Sequence, residues 1–244
     1  MLNSNEGKKE HIDIGENRYL RLPVKTRVIV EGDSIPDLAV EYAGEYVEKG
    51  DIVFISEKCV ACAQGRAIPM ADIKPRPLAK LLSRFVYKSP YGIGLSIPET
   101  MEMALREVGV MRILFAAFVP MIGKLLGKRG WFYKIAGMKA EGIDGPTPNT
   151  IPPYNNYVVL TPENPDKVAK EVADKLGVDC VIVDANDLSC KVLGASSPAI
   201  DHDLIVKVLV DNPLGQSRQS TPFGIIRKVG LAKAHDDMAV VLEP

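Results

Sequence analysis

Apolar and polar positions along the chain change period several times, and each change marks a predicted element. Tyr19–Val30, YLRLPVKTRVIV, alternates imperfectly and predicts an extended run with Pro23 near its start. EGDSIPDLAVEYAGEYVEKGD predicts a helix, with Leu38, Tyr42 and Val47 in an apolar stripe and Gly50 as its stop. Asp51–Ser56, DIVFIS, is short, apolar and β-branched, and predicts a strand. A helix is predicted over Pro77–Val86, after the breaker KPRP. Another is predicted over Ser96–Val108, with Ser96 as cap, Pro98 near the first turn and Glu99 three residues past the cap. Farther on, Tyr157–Leu160 and Val178–Asp184 read as strands, and Pro165–Leu176 reads as an amphipathic helix ending at Gly177. Ile200–Val210 reads as a helix and Phe223–Ile226 as a strand. Strands and helices mix without a clean βαβ rhythm, so the predicted class is α+β rather than doubly wound.

Two stretches break the pattern. Ile113–Gly123, ILFAAFVPMIG, is apolar but much shorter than the roughly 20 residues of a spanning helix, and Pro120 interrupts it. A buried strand-and-helix corner is expected there, followed by the basic turn GKLLGKRG; a surface-associated or partner-binding segment is the other reading. The opening MLNSNEGKKEHIDIGEN is polar and lacks an apolar leader core. The expected organisation is a flexible arm over residues 1–18 and a single domain over 19–244, with a candidate sub-lobe over 90–140. Neither an internal repeat nor a linker stands out.

At 244 residues the chain can bury a core without staples. Its 46% hydrophobic and 25% charged composition is that of a soluble globular protein. A net charge of −1 gives no electrostatic footprint for nucleic acid. Four cysteines without a leader point to a reducing cytoplasm.

Candidate chemistry lies in four places. FISEKCVACAQGR carries a Cys-x-x-Cys pair, Cys59 and Cys62, but no second pair completes a zinc site. The pair follows the strand residues directly, and in an extended chain positions three apart point to opposite faces, so two small, partly buried thiols are the plainer reading. No Walker loop is present, and GKLLGKRG has the wrong spacing for one. VIVDANDL places Asp184 at a strand exit with Asn186 and Asp187 behind it. Oxygens at that spacing suit a hard cation or a turn held by Asx hydrogen bonds. Asp144, in the Gly/Pro-rich loop GIDGPTPN, is a second donor of the same kind. GQSRQST, residues 215–221, is either an anion cradle or a solvated turn.

Taken in order, these pieces resemble the coenzyme F420-0:γ-glutamyl ligase family over most of residues 22–228. The matching stretches are PVKTRVIVEGDSIPDLAVEYAGEYVEKGDIVFISEKCVACAQGR, GIDGPTPN, VDCVIVDANDL and GQSRQSTPFGIIRK. The resemblance implies a large mixed sheet with flanking helices, a homodimer, and a ligase. That ligase would use GTP (or another nucleoside triphosphate) and Mg²⁺ or Mn²⁺ to join a glutamate-like amino acid to a small-molecule carboxylate through an acyl phosphate. It implies Asp144 and Asp184 as metal ligands, with Asn186 or Asp187 assisting. It implies Lys25, Thr26, Ser56, Gly65, Arg66, Gly215, Gln216, Ser220 and Thr221 around the nucleotide, and Arg218 and Arg227 for phosphate or the substrate carboxylate. The sequence departs from the family at Cys62, where a GTP-contacting lysine is usual. It departs again at Gln64 for Glu, at Ala185 for Thr or Ser, and at the glycines of the 215–221 loop. A non-catalytic binding relative on the same fold is the alternative that these departures leave.

Overall fold

A computed structural model describes residues 2–86, 93–125, 131–186 and 189–231. Six strands form one mixed sheet in the order β1-β2-β8-β3-β6-β7. These are β1 (His11–Ile14), β2 (Asn17–Val24), β3 (Ile52–Ser56), β6 (Asp179–Asn186), β7 (Ser189–Ala195) and β8 (Phe223–Leu231). β3 and β6 run parallel, and the other neighbouring pairs are antiparallel. The α+β class and the large mixed sheet with flanking helices are therefore as the sequence led us to expect.

β3 and β6 read as unbroken apolar runs because both faces of the sheet are covered. Val53, Ile55, Cys180 and Ile182 pack with α1 (Ile35–Ala43) and α8 (Pro165–Leu176). Phe54, Val181 and Val183 point to the opposite face, under α9 (His202–Val208). Each such side chain withdrawn from water contributes about 1.5–3 kcal/mol. Phe54 fits only because Gly224 lies opposite it on β8, where a Cβ would meet the ring at 2.2 Å.

A second, largely helical core lies beside the sheet. It gathers α3 (Pro77–Ser83), α4 (Pro98–Glu107), α5 (Val110–Leu125), α6 (Trp131–Ala136) and α7 (Met138–Glu141) around Leu95, Met101, Ile113 and Ile143. The short ladder of β4 (Ala67–Pro69) and β5 (Tyr157–Val159) joins it, Val158 lying in that core.

Several expectations need correction. The stretch read as an arm contains β1, whose His-Ile-Asp-Ile alternation pairs with β2 at the edge of the sheet. Ile113–Gly123 is not a strand-and-helix corner but part of α5, which buries Ile113 and Ala116 and exposes Met111, Phe115 and Phe118. Residues 126–130 of the basic turn lie outside the described residues. Among the described residues, no helix is long and apolar enough to cross a membrane. The first helix is capped by Ser34, which accepts from the Asp37 amide, and it stops at Gly44 rather than Gly50. Beyond that point the Tyr46 carbonyl accepts from Arg227 and the Glu48 amide donates to Asp51 at 2.8 Å, which diverts the backbone from a helical ladder. Ser96 does not cap α4; its hydroxyl turns back to the Ile93 carbonyl at 2.6 Å, and Ile97 holds the cap position.

Candidate active site

Ligands in open sheets gather at the carboxyl ends of parallel strands, and Ser56 and Asp184 lie at the end of the β3/β6 pair. Ser56 is in register with Val183, so Asp184 begins one residue beyond. The chain passes from β3 directly into α2 (Glu57–Ala63), whose first turn carries Glu57 and Lys58. Asp144 arrives from the helical core. Its backbone N–H and C=O both pair with Val159 at 2.9 Å, which ties its loop to β5. Lys58 Nζ stands 2.7 Å from Asp144 Oδ2. Lys191 on β7 is in register with Asp184.

The charges at this junction strain one another. Glu57 is buried, and its Oε2 has no hydrogen-bond partner among the described residues. Burial, then repulsion from Asp184 and Asp144, pushes its carboxyl well above the ordinary range. Asp184 is raised in the same way, by burial and then by Asp144. Desolvation works against the Lys58 ammonium, but Asp144 outweighs it and holds that group above its usual value. Three oxygen acids with one orphaned buried oxygen suit a hard divalent cation. Among the described residues, no three carboxylate, thiol or imidazole groups yet converge as a finished metal set.

The sign of the Glu57 effect can be measured. An acid whose folded pKa is raised weakens the fold progressively as pH climbs from the ordinary carboxylate value to the folded one, and the cost is constant above it. Glu57→Gln is therefore expected to stabilise the metal-free protein at neutral pH by about 1–3 kcal/mol. The gap from wild type should close below about pH 4, near the unfolded pKa. Urea unfolding across pH reads this out, and a gap independent of pH would contradict it.

The other sequence-derived candidates divide into three groups. Thr26 and Ser220 are zipped together, the Thr26 amide donating to the Ser220 carbonyl and the Ser220 hydroxyl to the Thr26 carbonyl, each at 2.9 Å. Exposed Lys25 precedes this zipper. Arg218 reaches the Pro148 carbonyl at 3.3 Å, so the 215–221 loop meets the loop that carries Asp144. Gly215 (φ +77°) and Gly65 (φ +69°) occupy left-handed turns, and Gln216 is exposed.

A second group is engaged structurally. Arg66 is held by the Thr161 carbonyl at 2.6 Å, Glu107 at 2.5 Å and Glu163 at 3.1 Å. Thr221 donates to the Leu214 carbonyl and accepts from Asn5. Asn186 Oδ1 accepts from the Ser189 amide at 3.0 Å, which is the Asx turn foreseen beside the metal reading. A third group is not brought to the site. Arg227 sits at the opposite end of β8, locked to Asp51 at 2.7 and 2.9 Å. Asp187 lies outside the described residues.

The Cys-x-x-Cys pair lies on α2, not on an extended strand, because Ser56 ends β3 and Glu57 opens a helical turn. All four cysteines are free and buried. Burial pushes the Cys62 thiol up to about 11, and Cys59 is also raised, the reverse of a redox-active thiolate. Sequence reasoning missed Glu57 and Lys58. Their signal was a Ser at a strand exit followed at once by an acid, which is a helix start.

A family model described as F420-0:gamma-glutamyl ligase matches residues 23–200. An uncharacterized protein of Methanocaldococcus jannaschii is 31% identical over 74% of this chain and 62% of its own length. The coenzyme F420:L-glutamate ligase of Methanopyrus kandleri is 27% identical over 64% of this chain and 54% of its own. The chain thus spans little more than half the length of these relatives. The matched region contains both β3/β6 ends, α2 and the Asp144 loop, and the chain belongs to the F420-0:gamma-glutamyl ligase family.

Proposed function

We propose that the protein is a metal- and nucleotide-dependent ligase that joins an amino acid of the glutamate type to a small-molecule carboxylate. The observation that carries this reading is the meeting of Asp144 and Asp184, from two separate cores, at the carboxyl ends of β3 and β6. Family membership and the named relative from Methanopyrus kandleri support the glutamate-ligase class.

A free carboxylate is a poor electrophile. The γ-phosphoryl of GTP or ATP would pass to a carboxylate oxygen, releasing nucleoside diphosphate. The amine would then attack the acyl carbon, lose its proton and expel inorganic phosphate as the amide forms. Bound Mg²⁺ or Mn²⁺ would neutralise phosphate charge during that transfer. Asp144 and Asp184 would hold the metal, with Asn186 or Asp187 assisting. Lys25, Thr26, Ser56, Gly65, Gln216 and Ser220 would border the nucleotide. Arg218, exposed and close to the Asp144 loop, would meet the anionic substrate.

Cys62 favours the second reading, a non-catalytic binding relative. A buried thiol with a raised pKa carries no charge for phosphate. Calorimetric titration with GTP and with ATP in the presence of MnCl₂, followed by an assay of nucleoside diphosphate release with carboxylate and glutamate, separates the two. Metal-dependent binding with turnover supports the ligase. Binding without turnover, or no binding of either nucleotide, removes the ligase and supports the second reading.

A further inference from the structure

Lys58 presents a conflict that a working metal site must resolve. Its ammonium is 2.7 Å from Asp144 Oδ2, so it already occupies one face of a candidate metal acid. Glu57 opens α2 directly before Lys58, and Asp184 follows Val183, the register partner of Ser56, so Lys58 is a cation placed among acids at this junction. The contact is not locked. The Lys58 side chain is 37% exposed and that of Asp144 is 51% exposed. A lysine is a compact charge on a flexible four-carbon stem, able to exchange partners by rotation rather than by refolding. Glu57, one residue before it, leaves a buried oxygen without a partner among the described residues. The ammonium thus partly neutralises a candidate metal acid, Asp144, at the junction where β6 delivers Asp184.

We propose that Lys58 is the resident counter-ion of this site, displaced from Asp144 when a divalent metal binds and transferred to the phosphate of the incoming nucleotide. This rests on the metal-dependent reading given above. The ammonium would keep the acids together in the empty site and oppose metal alone. Once metal and a phosphate arrive together, the ammonium gains a new anion as it loses the old one, so each ligand strengthens the other. Coupling of this kind is reciprocal, with a size of roughly 5–150-fold. Lys58 is in this sense a binding and positioning residue, and the site favours the metal–nucleotide complex over free metal.

The test uses the full chain, titrated calorimetrically with MnCl₂ alone and with saturating GTP, in wild type, Lys58→Met and Lys58→Arg. Circular dichroism checks the fold of each. Without GTP, Lys58→Met is expected to bind Mn²⁺ about fivefold or more tightly than wild type. GTP should raise Mn²⁺ affinity in wild type and in Lys58→Arg, and this gain should vanish in Lys58→Met. Equal or weaker Mn²⁺ binding by folded Lys58→Met overturns the exchange. If wild type and Lys58→Met bind Mn²⁺ equally and Asp184→Asn abolishes it, the exchange fails while the metal site stands. If neither binds Mn²⁺, the metal reading and the exchange fall together.

Discussion

Asp184→Asn is expected to lose Mn²⁺ binding while keeping its fold. Asparagine preserves the shape of the side chain and removes only the charge. Asp184 ends a strand whose preceding residues, Val181 to Val183, are buried in the two sheet faces, so its backbone position is fixed without it. Its carboxyl is raised by burial and by Asp144, so its charge is held at a cost to the fold. Removing that charge should leave the metal-free protein as stable as wild type at neutral pH, or more so. A bound metal contributes several kcal/mol to phosphoryl transfer, so turnover should fall by about three orders of magnitude. Calorimetry with MnCl₂ and a far-UV spectrum decide the matter together. Retained Mn²⁺ affinity in a folded variant would remove Asp184 from the site.

The largest effect on stability should come from Asp211→Ala. Arg21, on β2, is fully buried, and its guanidinium is bonded to Asp211 and to the Val208 carbonyl at 3.1 Å. Burial opposes ionisation of Asp211, but Arg21 outweighs it and holds that carboxyl below its ordinary value. Removing the partner strands a buried guanidinium, and breaking a buried pair typically costs 3–5 kcal/mol. Asp211 is itself 39% exposed, so water screens part of the interaction, and about 3 kcal/mol is the better figure. A lowered acid contributes stability above its unfolded pKa and loses it as pH falls through the folded one. The urea midpoint of the variant should therefore lie well below wild type at neutral pH, with an unchanged slope. The two should converge in acid. Equal midpoints at neutral pH would show that Arg21 is satisfied by carbonyls alone.

How much of this was legible in the sequence depended on where local and tertiary signals agreed. The helix over Pro165–Leu176 was plain because apolar period, a proline near its start and Gly177 (φ +72°) all pointed the same way. β3 and β6 were plain because central strands covered on both faces are continuous apolar runs. α2 was not, because EKCVACA is as apolar as the strand before it and periodicity alone cannot end one and begin the other. Glu57 and Lys58 were hidden with it. β1 was missed because an edge strand has little to bury, and its alternation lies within a polar tail. Asp144 and Asp184 were each ambiguous until ordered motifs joined them. Only the sheet register and the Asp144–Val159 bridge bring the two ends together. Arg227 misled because a charged residue after a loop resembles a ligand group, whereas its strand carries it away toward Asp51.

Asp144 follows Ile143 of the helical core, whereas Lys58 adjoins Cys59 of the sheet core, so their ion pair is a clasp between two separately packed bodies. Whatever spans that seam governs how they melt. With this clasp joined by the Lys191–Glu141 and Arg66–Glu107 pairs across the seam, the helical body is expected to open before the sheet, so that heating spreads over a broad range. A ligand gripping both sides would fuse the two into one cooperative unit, sharpening the transition as well as raising it. The breadth of the melting curve would then report occupancy of the seam before any product is assayed.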